Sequence, residues 1–435
     1  MASDAKKTRQ FENGSAAFDR ISSLPTSLME LILERLPTHD AARTSVFSKT
    51  WRNVWGMHPR LHLDEHFISQ LVSQKFSELD EQSKILEVSR IITDIFSAHR
   101  GPVLDFLLCI PRDLPIHQCQ DMVTWIKNIA NSGVRKVELL NESQDACIVP
   151  SHFFSCSQLT HLTLMNCILN PPLGFEGFRN LISVELVYVT INADMSFGTQ
   201  LKELEMEICT GIEHLGRQFK RENNLTFLSI IDSEDIDWQW FECTQKMEVL
   251  RLGMDEVPSS GTEMITLDKL LCNMPRLSSL FLDGFFLKIL ESGAAILKKF
   301  PRAMENLKYL YLHRIELYDL IQIQHVLCLV RSSPYLHTLD IDLDHGVQSS
   351  DGMDLLDLAT LSDHMIRLET LKIYDLIGSR AEFQFLKLLL TSSPSLKRIE
   401  LKMKDIVDDP TEEFRISQEL LQIPRASNSA QIQWM

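Results

Sequence analysis

The sequence predicts an α/β protein in which a short helical segment precedes a long solenoid of parallel strands. An apolar-x-x-apolar-x-apolar pattern recurs from Val103 to the instance that begins at Leu396, whereas residues 19–55 place apolar side chains at helical spacing. At 435 residues, with 44% hydrophobic and 23% charged residues, the chain is long enough to bury a large core.

The first predicted helix lies between two prolines. Pro25 has the fixed φ that suits the start of a helix, and Pro37 ends the segment because proline cannot continue one. Ser27 and Glu30 have the spacing of a capping box. Four apolar side chains recur at helical spacing and predict one apolar face: Leu28, Leu31, Ile32 and Leu36.

Two further short helices are predicted before residue 56. Thr38 is placed to cap a helix over residues 40–47, and Ser48 is placed to cap another in which Trp51, Val54 and Trp55 lie along one side. Fewer than about 40 residues rarely form a self-sufficient core without disulfides, a metal or a partner. Because no cysteine lies in this segment, we expect another protein to complete its apolar surface.

The recurring pattern beyond these helices predicts the short strands of a repeated unit. The instances that begin at residues 159 and 181 are 22 residues apart, and those that begin at residues 336 and 368 are 32 apart. These lengths are typical of leucine-rich repeats, in which each strand stacks on the next. The twelve instances begin at Val103, Val134, Leu159, Leu181, Leu201, Leu225, Met247, Leu277, Leu307, Leu336, Leu368 and Leu396.

Features between and after the predicted strands support the same architecture. Segments 264–274, 320–330 and 381–390 show helical spacing on the convex side, and each is followed by a proline that stops the helix. Cys167 and Cys209 occupy the repeat position whose side chain bonds the turn backbone, so we interpret them as structural. Ile432 and Trp434 alternate with glutamines, which predicts a final strand that closes the solenoid.

Composition and charge exclude several classes of protein. The formal net charge of -16, from 59 acidic and 43 basic residues, argues against nucleic-acid binding, which needs clustered cations. Residues 1–15 lack the apolar core of a signal peptide, and no apolar run approaches the roughly 18 residues that span a bilayer. Nine cysteines without a C-x-x-C pair fit a reducing compartment. We therefore expect an intracellular protein, in the nucleus or the cytoplasm, without a membrane partner.

The residues between the buried positions of each strand are predicted to project onto the concave face of the solenoid. They give an acidic early part, a central aromatic group with one arginine, and a basic end. Aromatic and arginine side chains dominate the energetics of protein interfaces. The candidate binding patch is Phe227, Arg251, Phe281, Tyr309 and Tyr311. The alternative is that these rings pack on one another or under loops.

No arrangement of residues predicts catalysis. His58, His62 and His66 recur every four residues, which on a helix would stack metal ligands, but Pro59 predicts an extended segment there. Three glutamates in 203–207 are interpreted as a solvated strand face. There is no glycine-rich phosphate loop and no nucleophile signature. We predict no catalytic residue, no metal site and no cofactor.

A set of residues in the N-terminal helices carries a family resemblance. It comprises Leu24-Pro25, Ile32-Leu33, Leu36-Pro37, the run 43–46, Ser48, Trp51, Arg52 and Trp55, and it resembles the F-box of plant F-box proteins. Phe47 departs from that pattern, where leucine is usual. The resemblance implies docking on a Skp-type adaptor and, through it, on a cullin. The residues that it assigns to adaptor binding are Leu24, Pro25, Leu28, Ile32, Leu33, Leu36, Pro37, Val46, Trp51 and Trp55.

The repeats and the tail extend the resemblance to nearly the whole chain. Residues 419–421, 424–427, Ala430 and Ile432 resemble the end of an FBD segment, as found in plant F-box proteins with leucine-rich repeats. The implied fold is an F-box followed by a right-handed leucine-rich-repeat solenoid, with a parallel concave sheet, convex helices or loops, and a C-terminal FBD cap. The implied domains are a disordered tail (1–18), the F-box (19–65), the repeats (66–375) and an FBD-like segment (376–435).

This resemblance implies a substrate-recognition subunit of an SCF-type ubiquitin ligase. The F-box would bind the adaptor, and the repeats would hold a target protein whose identity the sequence does not reveal. The chain itself would not be an enzyme, because the ligase's other subunits transfer ubiquitin. An alternative is a non-degradative interaction scaffold, or a small-molecule sensor built on the same repeats.

Overall fold

The structure, a computed structural model, describes residues 20–219, 224–233, 236, 240–241, 244–254, 266–290, 299–345, 367–404 and 410–434. The predicted disordered tail, 1–18, lies outside these residues. The helices of the described part are α1 (Thr26–Glu34), α2 (Thr38–Thr44), α3 (Lys49–Gly56), α4 (Glu65–Lys75), α5 (Glu81–Ala98), α6 (Asp121–Asn131), α7 (Gly216–Phe219), α8 (Leu267–Leu271), α9 (Gly284–Ile289), α10 (Leu320–Ser332), α11 (Arg380–Ser392) and α12 (Pro410–Gln422).

The strands of the described part form two parallel sheets. The larger sheet has 14 strands: β1 (Arg60–Leu63), β2 (Asp105–Ile110), β3 (Lys136–Asn141), β5 (His161–Met165), β7 (Ser183–Val187), β9 (Glu203–Glu207), β10 (Phe227–Ile231), β11 (Val249–Gly253), β12 (Ser279–Asp283), β13 (Tyr309–Ile315), β14 (Thr338–Leu343), β15 (Thr370–Leu376), β16 (Arg398–Met403) and β17 (Gln431–Trp434). The smaller sheet has three: β4 (Cys147–Ile148), β6 (Cys167–Leu169) and β8 (Thr190–Ile191). Each strand pairs with the next one of its own sheet along the chain, as in a solenoid.

All twelve predicted repeat strands are present in the larger sheet, so this prediction is confirmed. Each begins two residues after the first apolar residue of its pattern, as β5 does after Leu159. Leu162 and Leu164 within that strand are buried, whereas its alternate residues are not, because successive side chains of a strand point to opposite faces. The predicted final strand is β17, which pairs with β16.

Helices cover the core side of the later repeats, as their spacing predicted. Asp319 caps α10, its carboxylate accepting from the Ile321 and Gln322 amides at 2.9 and 3.1 Å. Ser379 and Glu382 form a reciprocal capping box at the start of α11. The helix expected over 264–274 is shorter, since α8 spans five residues and 264–265 lie outside the described part.

Two predicted caps in the N-terminal segment are wrong. Pro25 and Pro37 themselves occupy the N-cap positions of α1 and α2, with ψ near 143° and 146°, and neither helix has a side-chain cap. Thr38 is therefore already helical. The prediction for Ser48 is confirmed, because its hydroxyl accepts from the Trp51 amide at 3.3 Å.

Several strands repeat one backbone conformation at or just beyond their C-terminal ends. Among the described residues, six other than glycine have φ between 48° and 61°, each five residues after the start of its strand: Asn166, Tyr188, Ile208, Asp232, Arg314 and Asp375. This left-handed region is costly for a branched side chain such as that of Ile208. The Ile208 amide donates to the Ile231 carbonyl at 2.9 Å, so the ladder continues through the turn and offsets the strain. The buried Cys209 thiol donates to the Leu186 carbonyl at 3.4 Å, the structural role predicted for it.

The N-terminal helices and the solenoid have separate cores. One small cluster contains Met29, Leu33, Ala41, Trp51, Val54 and Trp55, and a second, much larger cluster extends from Leu61 to Leu420. Backbone hydrogen bonds form part of the junction between them. The Gly56 carbonyl at the end of α3 accepts from the Arg100 and Gly101 amides at 2.7 and 2.8 Å.

Replacement of Gly101 by alanine is expected to loosen this junction. An added Cβ would lie 2.8 Å from the Met57 Cα and 2.9 Å from its carbonyl oxygen, so backbone must shift. We expect a loss of about 1–3 kcal/mol in the free energy of unfolding, together with faster hydrogen exchange at Arg100. Gly56→Ala is the matched control, because its Cβ would meet only the Ala98 carbonyl at 3.5 Å. Equal exchange in the two variants would contradict the role of Gly101.

Candidate functional site

The first helix keeps most of its apolar side chains outside the small N-terminal core. Met29 and Leu33 are buried, whereas Leu28, Leu31 and Ile32 are 46%, 51% and 38% exposed. The predicted apolar stripe of α1 is therefore not the side that packs on α2 and α3. An isolated pair of such residues would be unremarkable, but three on one helix of nine residues leave apolar surface available to a partner.

The ten residues assigned to adaptor binding divide into three groups. Pro25, Leu28, Ile32, Pro37 and Val46 are exposed. Leu24 and Leu36 are half-buried at the edge of the small core. Leu33, Trp51 and Trp55 are buried within it and would support the exposed residues rather than touch a partner.

Two exposed residues were absent from that assignment. Leu31 lies on α1 with Leu28 and Ile32, and its helical spacing was the signal in the sequence. Phe47 is exposed and packs edge-on against Trp51, with ring centroids 6.2 Å apart. The Trp51 indole N–H is buried and has no hydrogen-bond acceptor in the described part of the chain. Such an unpaired buried group lowers the free energy of unfolding by about 1–3 kcal/mol. The core that bears this cost is itself small.

The second candidate surface is the side of the larger sheet that faces away from the main core, called here the open face. Strand register aligns one side chain from each strand in a central row, and the part of this row that crosses β9 to β16 is Glu205, Ser229, Arg251, Phe281, Tyr311, Asp340, Lys372 and Glu400. Neighbouring members are on adjacent strands, about 4.8 Å apart along the row. Residues far apart in the chain therefore meet here.

Three rings in the middle of the open face form a continuous group, called here the aromatic strip: Phe281, Tyr311 and His313. The Phe281 and Tyr311 centroids are 4.9 Å apart, and His313 stacks at 6.1 Å from Phe281 and 6.2 Å from Tyr311. The Arg251 guanidinium lies 5.3 Å from the Phe281 centroid and 3.4 Å from a Glu205 carboxylate oxygen. Arg251, Phe281 and Tyr311 of the predicted patch are thus together.

The other two members of the predicted patch lie on a different row. Phe227 aligns with Val249, then Ser279, then Tyr309, so three strand spacings separate Phe227 from Tyr309. Tyr309 is exposed and lies 6.4 Å from the His337 ring. His313 was missing from the predicted patch, although its place two residues after Tyr311 put it on the same face.

Charged neighbours and burial alter the titration of the strip. The His313 Nδ1 lies 2.7 Å from an Asp342 carboxylate oxygen, and this contact with Asp342 raises the pKa of His313. Burial, with Asp342 and Asp340 nearby, raises the pKa of Tyr311 to about 12, so its hydroxyl keeps its proton. Burial also raises the pKa of Glu205, against the opposing effect of Arg251.

Two cations at or beside the basic end of the open face are paired with carboxylates. Lys372 lies 3.0 Å from Glu400, and Lys397 bonds Glu369. Burial raises the pKa of Asp340 to about 6, and Lys372 opposes this shift only in part. The basic character that the sequence indicated is therefore neutralised in part within the sheet.

The histidines considered as metal ligands do not share a helix. His62 lies on β1 and contacts Asp105 at 3.0 Å, and burial lowers the pKa of His58. The extended segment predicted from Pro59 is confirmed. Among the described residues, no three His, Cys, Asp or Glu side chains are grouped so as to hold a metal ion. Nor does that part of the chain contain a helix long and apolar enough to cross a membrane.

Asp340→Asn is expected to stabilise the protein at neutral pH. The native state keeps a proton on Asp340 up to about pH 6, whereas the unfolded chain releases it near pH 4, so the free energy of unfolding falls as pH rises through this window. Asparagine removes that cost, which we put at about 1 kcal/mol after allowing for partial exposure of the carboxylate.

Thermal unfolding checks this expectation. The variant should melt a few degrees above the wild type at about pH 7.5 and show no gain at about pH 4. Asp113→Asn, at an exposed turn, is the control and should change neither value. A loss of stability in Asp340→Asn at neutral pH would contradict the assignment.

Comparison with known proteins supports the division into helices and repeats. The family model of the F-box domain matches residues 21–63. An F-box/FBD/LRR-repeat protein of Arabidopsis thaliana is 28% identical over 430 residues, which cover 95% of this chain and 98% of the relative. F-box/LRR-repeat protein 13 of the same plant is 25% identical over 464 residues, which cover 96% of this chain and 97% of the relative. A further F-box/FBD/LRR-repeat protein of Arabidopsis thaliana is 30% identical over 183 residues, which cover 42% of this chain and 38% of the relative.

These similarities agree with the architecture. The matched F-box region contains α1, α2 and α3 with their separate core, and the remaining similarity covers the stacked strands. The chain carries an F-box domain, and along nearly its whole length it is similar to the F-box/FBD/LRR-repeat proteins of Arabidopsis.

Proposed function

We propose that the chain is the substrate-recognition subunit of an SCF-type ubiquitin ligase. The F-box, residues 19–65, binds a Skp-type adaptor that connects it to a cullin. The repeats, residues 66–375, hold a target protein, and residues 376–435 close the solenoid. The chain acts by positioning the target and has no catalytic role of its own.

The observation that carries this proposal is apolar surface on a matched F-box domain. Leu28, Leu31 and Ile32 stay outside the small core although α1 has two other apolar residues that fill it. Covering such side chains with a partner stabilises a complex by about 25 cal/mol for each Å² of apolar surface removed from water. The separate cores support two separate binding functions, because a partner can bind the helices without altering the packing of the repeats.

The geometry of the open face favours a protein target over an anionic small molecule. A sensor for such a ligand needs several converging cations with no other partner. On the open face, Lys136 bonds Glu138, Arg251 lies beside Glu205, and Lys372 lies beside Glu400. Aromatic rings that run across several strands suit the broader contact that a protein makes.

Leu28→Asp and Ile32→Asp are each expected to weaken adaptor binding at least tenfold. A charge buried in an apolar interface is costly, and both side chains are already exposed, so the free chain should fold normally. The measurement is calorimetric titration of the full chain with a recombinant plant Skp-type adaptor, with circular dichroism to check the repeats.

Leu86→Asp is the matched control, because Leu86 is 59% exposed on α5, outside the matched F-box. It should leave adaptor binding unchanged. A wild-type chain that is folded and monomeric yet ignores the adaptor would overturn the receptor assignment.

A further inference from the structure

Among the described residues, one carboxylate beside the aromatic strip has an oxygen that accepts no hydrogen bond. Asp340 on β14 aligns with Tyr311 on β13. Its Oδ1 is buried and accepts no hydrogen bond from the described residues. Burying a polar atom in this way without a partner is unfavourable, and most buried polar groups avoid it.

The other carboxylates around the strip are satisfied. Asp342 lies 2.7 Å from the His313 Nδ1, and Glu205 lies 3.4 Å from Arg251. Glu400 lies 3.0 Å from Lys372, the residue that aligns with Asp340 on the next strand. The cation nearest to Asp340 along the row is thus already paired, and the pKa of Asp340 stays raised, at about 6.

The strip offers a surface on which a cation is favourable. The Arg251 guanidinium already lies over Phe281, which shows that a planar cation fits on these rings. Tyr311, the next ring along the row, lies between Phe281 and Asp340. A cation over its face would gain the attraction of the ring and pair with the Asp340 carboxylate at once.

The size of the surface favours an extended protein segment as the occupant. From β11 to β14 the row crosses three strand spacings, about 14 Å, which roughly four extended residues span. Half-buried Phe281 supplies apolar contact beside the charge. Beyond Arg251, the row continues to Ser229, Glu205 and then Glu185, so its potential on that side also suits a basic partner.

We propose that Tyr311 and Asp340 bind an arginine or lysine side chain of the target protein, with Phe281 receiving an adjacent apolar residue. This inference rests on the proposed function, in that the repeats bind a protein. It adds the chemistry of the segment that is recognised.

Selection from a library of random displayed dodecapeptides on the full-length chain tests the inference. The wild type should enrich peptides that carry arginine or lysine next to an apolar residue, and Asp340→Asn should lose that basic preference. Enrichment of peptides without a basic residue, or no enrichment, would overturn the inference.

A double-mutant cycle on one selected peptide then isolates the contact. Asp340→Asn, and replacement of the basic residue by citrulline or norleucine, should each weaken binding about tenfold, and the two changes together should cost little more than one. Tyr311→Leu should weaken binding similarly. Tyr311→Phe keeps the ring and should bind as the wild type does. Asp113→Asn is the control and should bind as the wild type does. Additive losses would contradict the pairing.

Two further outcomes separate this inference from its rivals. If tetramethylammonium displaces the peptide at equal concentration, the site takes a small cation and the assignment to a protein segment fails. Adaptor binding is measured on the same preparation. A chain that binds the adaptor but shows no dependence on Asp340 overturns only this inference, whereas a chain that ignores the adaptor overturns the proposed function.

Discussion

The structure depends on the stacking of parallel strands, each of which is completed only by its neighbours. In every repeat the second and fourth strand residues enter the core, as Leu280 and Leu282 do on β12. The backbone groups pair on both sides along the 14-stranded sheet. Only alternate residues of each strand pack in the core, so the residues between them lie on the open face and can be aromatic or charged.

This freedom accounts for the electrostatics of the open face. Its charged residues come from strands that are distant in sequence, yet most find a partner across one or two strands, as Arg251 does with Glu205. Asp340 differs, since it bears a desolvation cost that Lys372 relieves only in part. A group that lowers stability at neutral pH and faces a row of rings is typical of a site whose ligand lies outside the protein.

The F-box follows a different physical logic. Its core has six buried apolar residues, and the Trp51 indole N–H within it has no acceptor among the described residues. Backbone hydrogen bonds at Gly56 and Gly101, and a bond from the Arg60 guanidinium to the Glu34 carbonyl, hold it to the solenoid without merging the two cores. Such a module can be held in a defined place while its outer surface remains available to a partner.

Much of the fold could be predicted from the sequence, because its signals are local. The twelve strands, the closing strand and the extended segment after Pro59 all follow from the two-residue period or from proline. The caps of α1 and α2 were mispredicted because proline took the N-cap position itself. The side of α1 that turns inward could not be predicted, since apolar residues lie on more than one side of that helix and only packing against α3 selects Met29 and Leu33.

The sequence by itself determined the repeated architecture and the types of residue on the open face. Only the tertiary structure decided which of them meet. Register brings Tyr311 beside Asp340 and joins His313 to the strip, while it leaves Phe227 three strands away from Tyr309. Local periodicity specifies the face on which a side chain lies, but its neighbours on that face depend on the alignment of strands that are 20 to 30 residues apart in the chain.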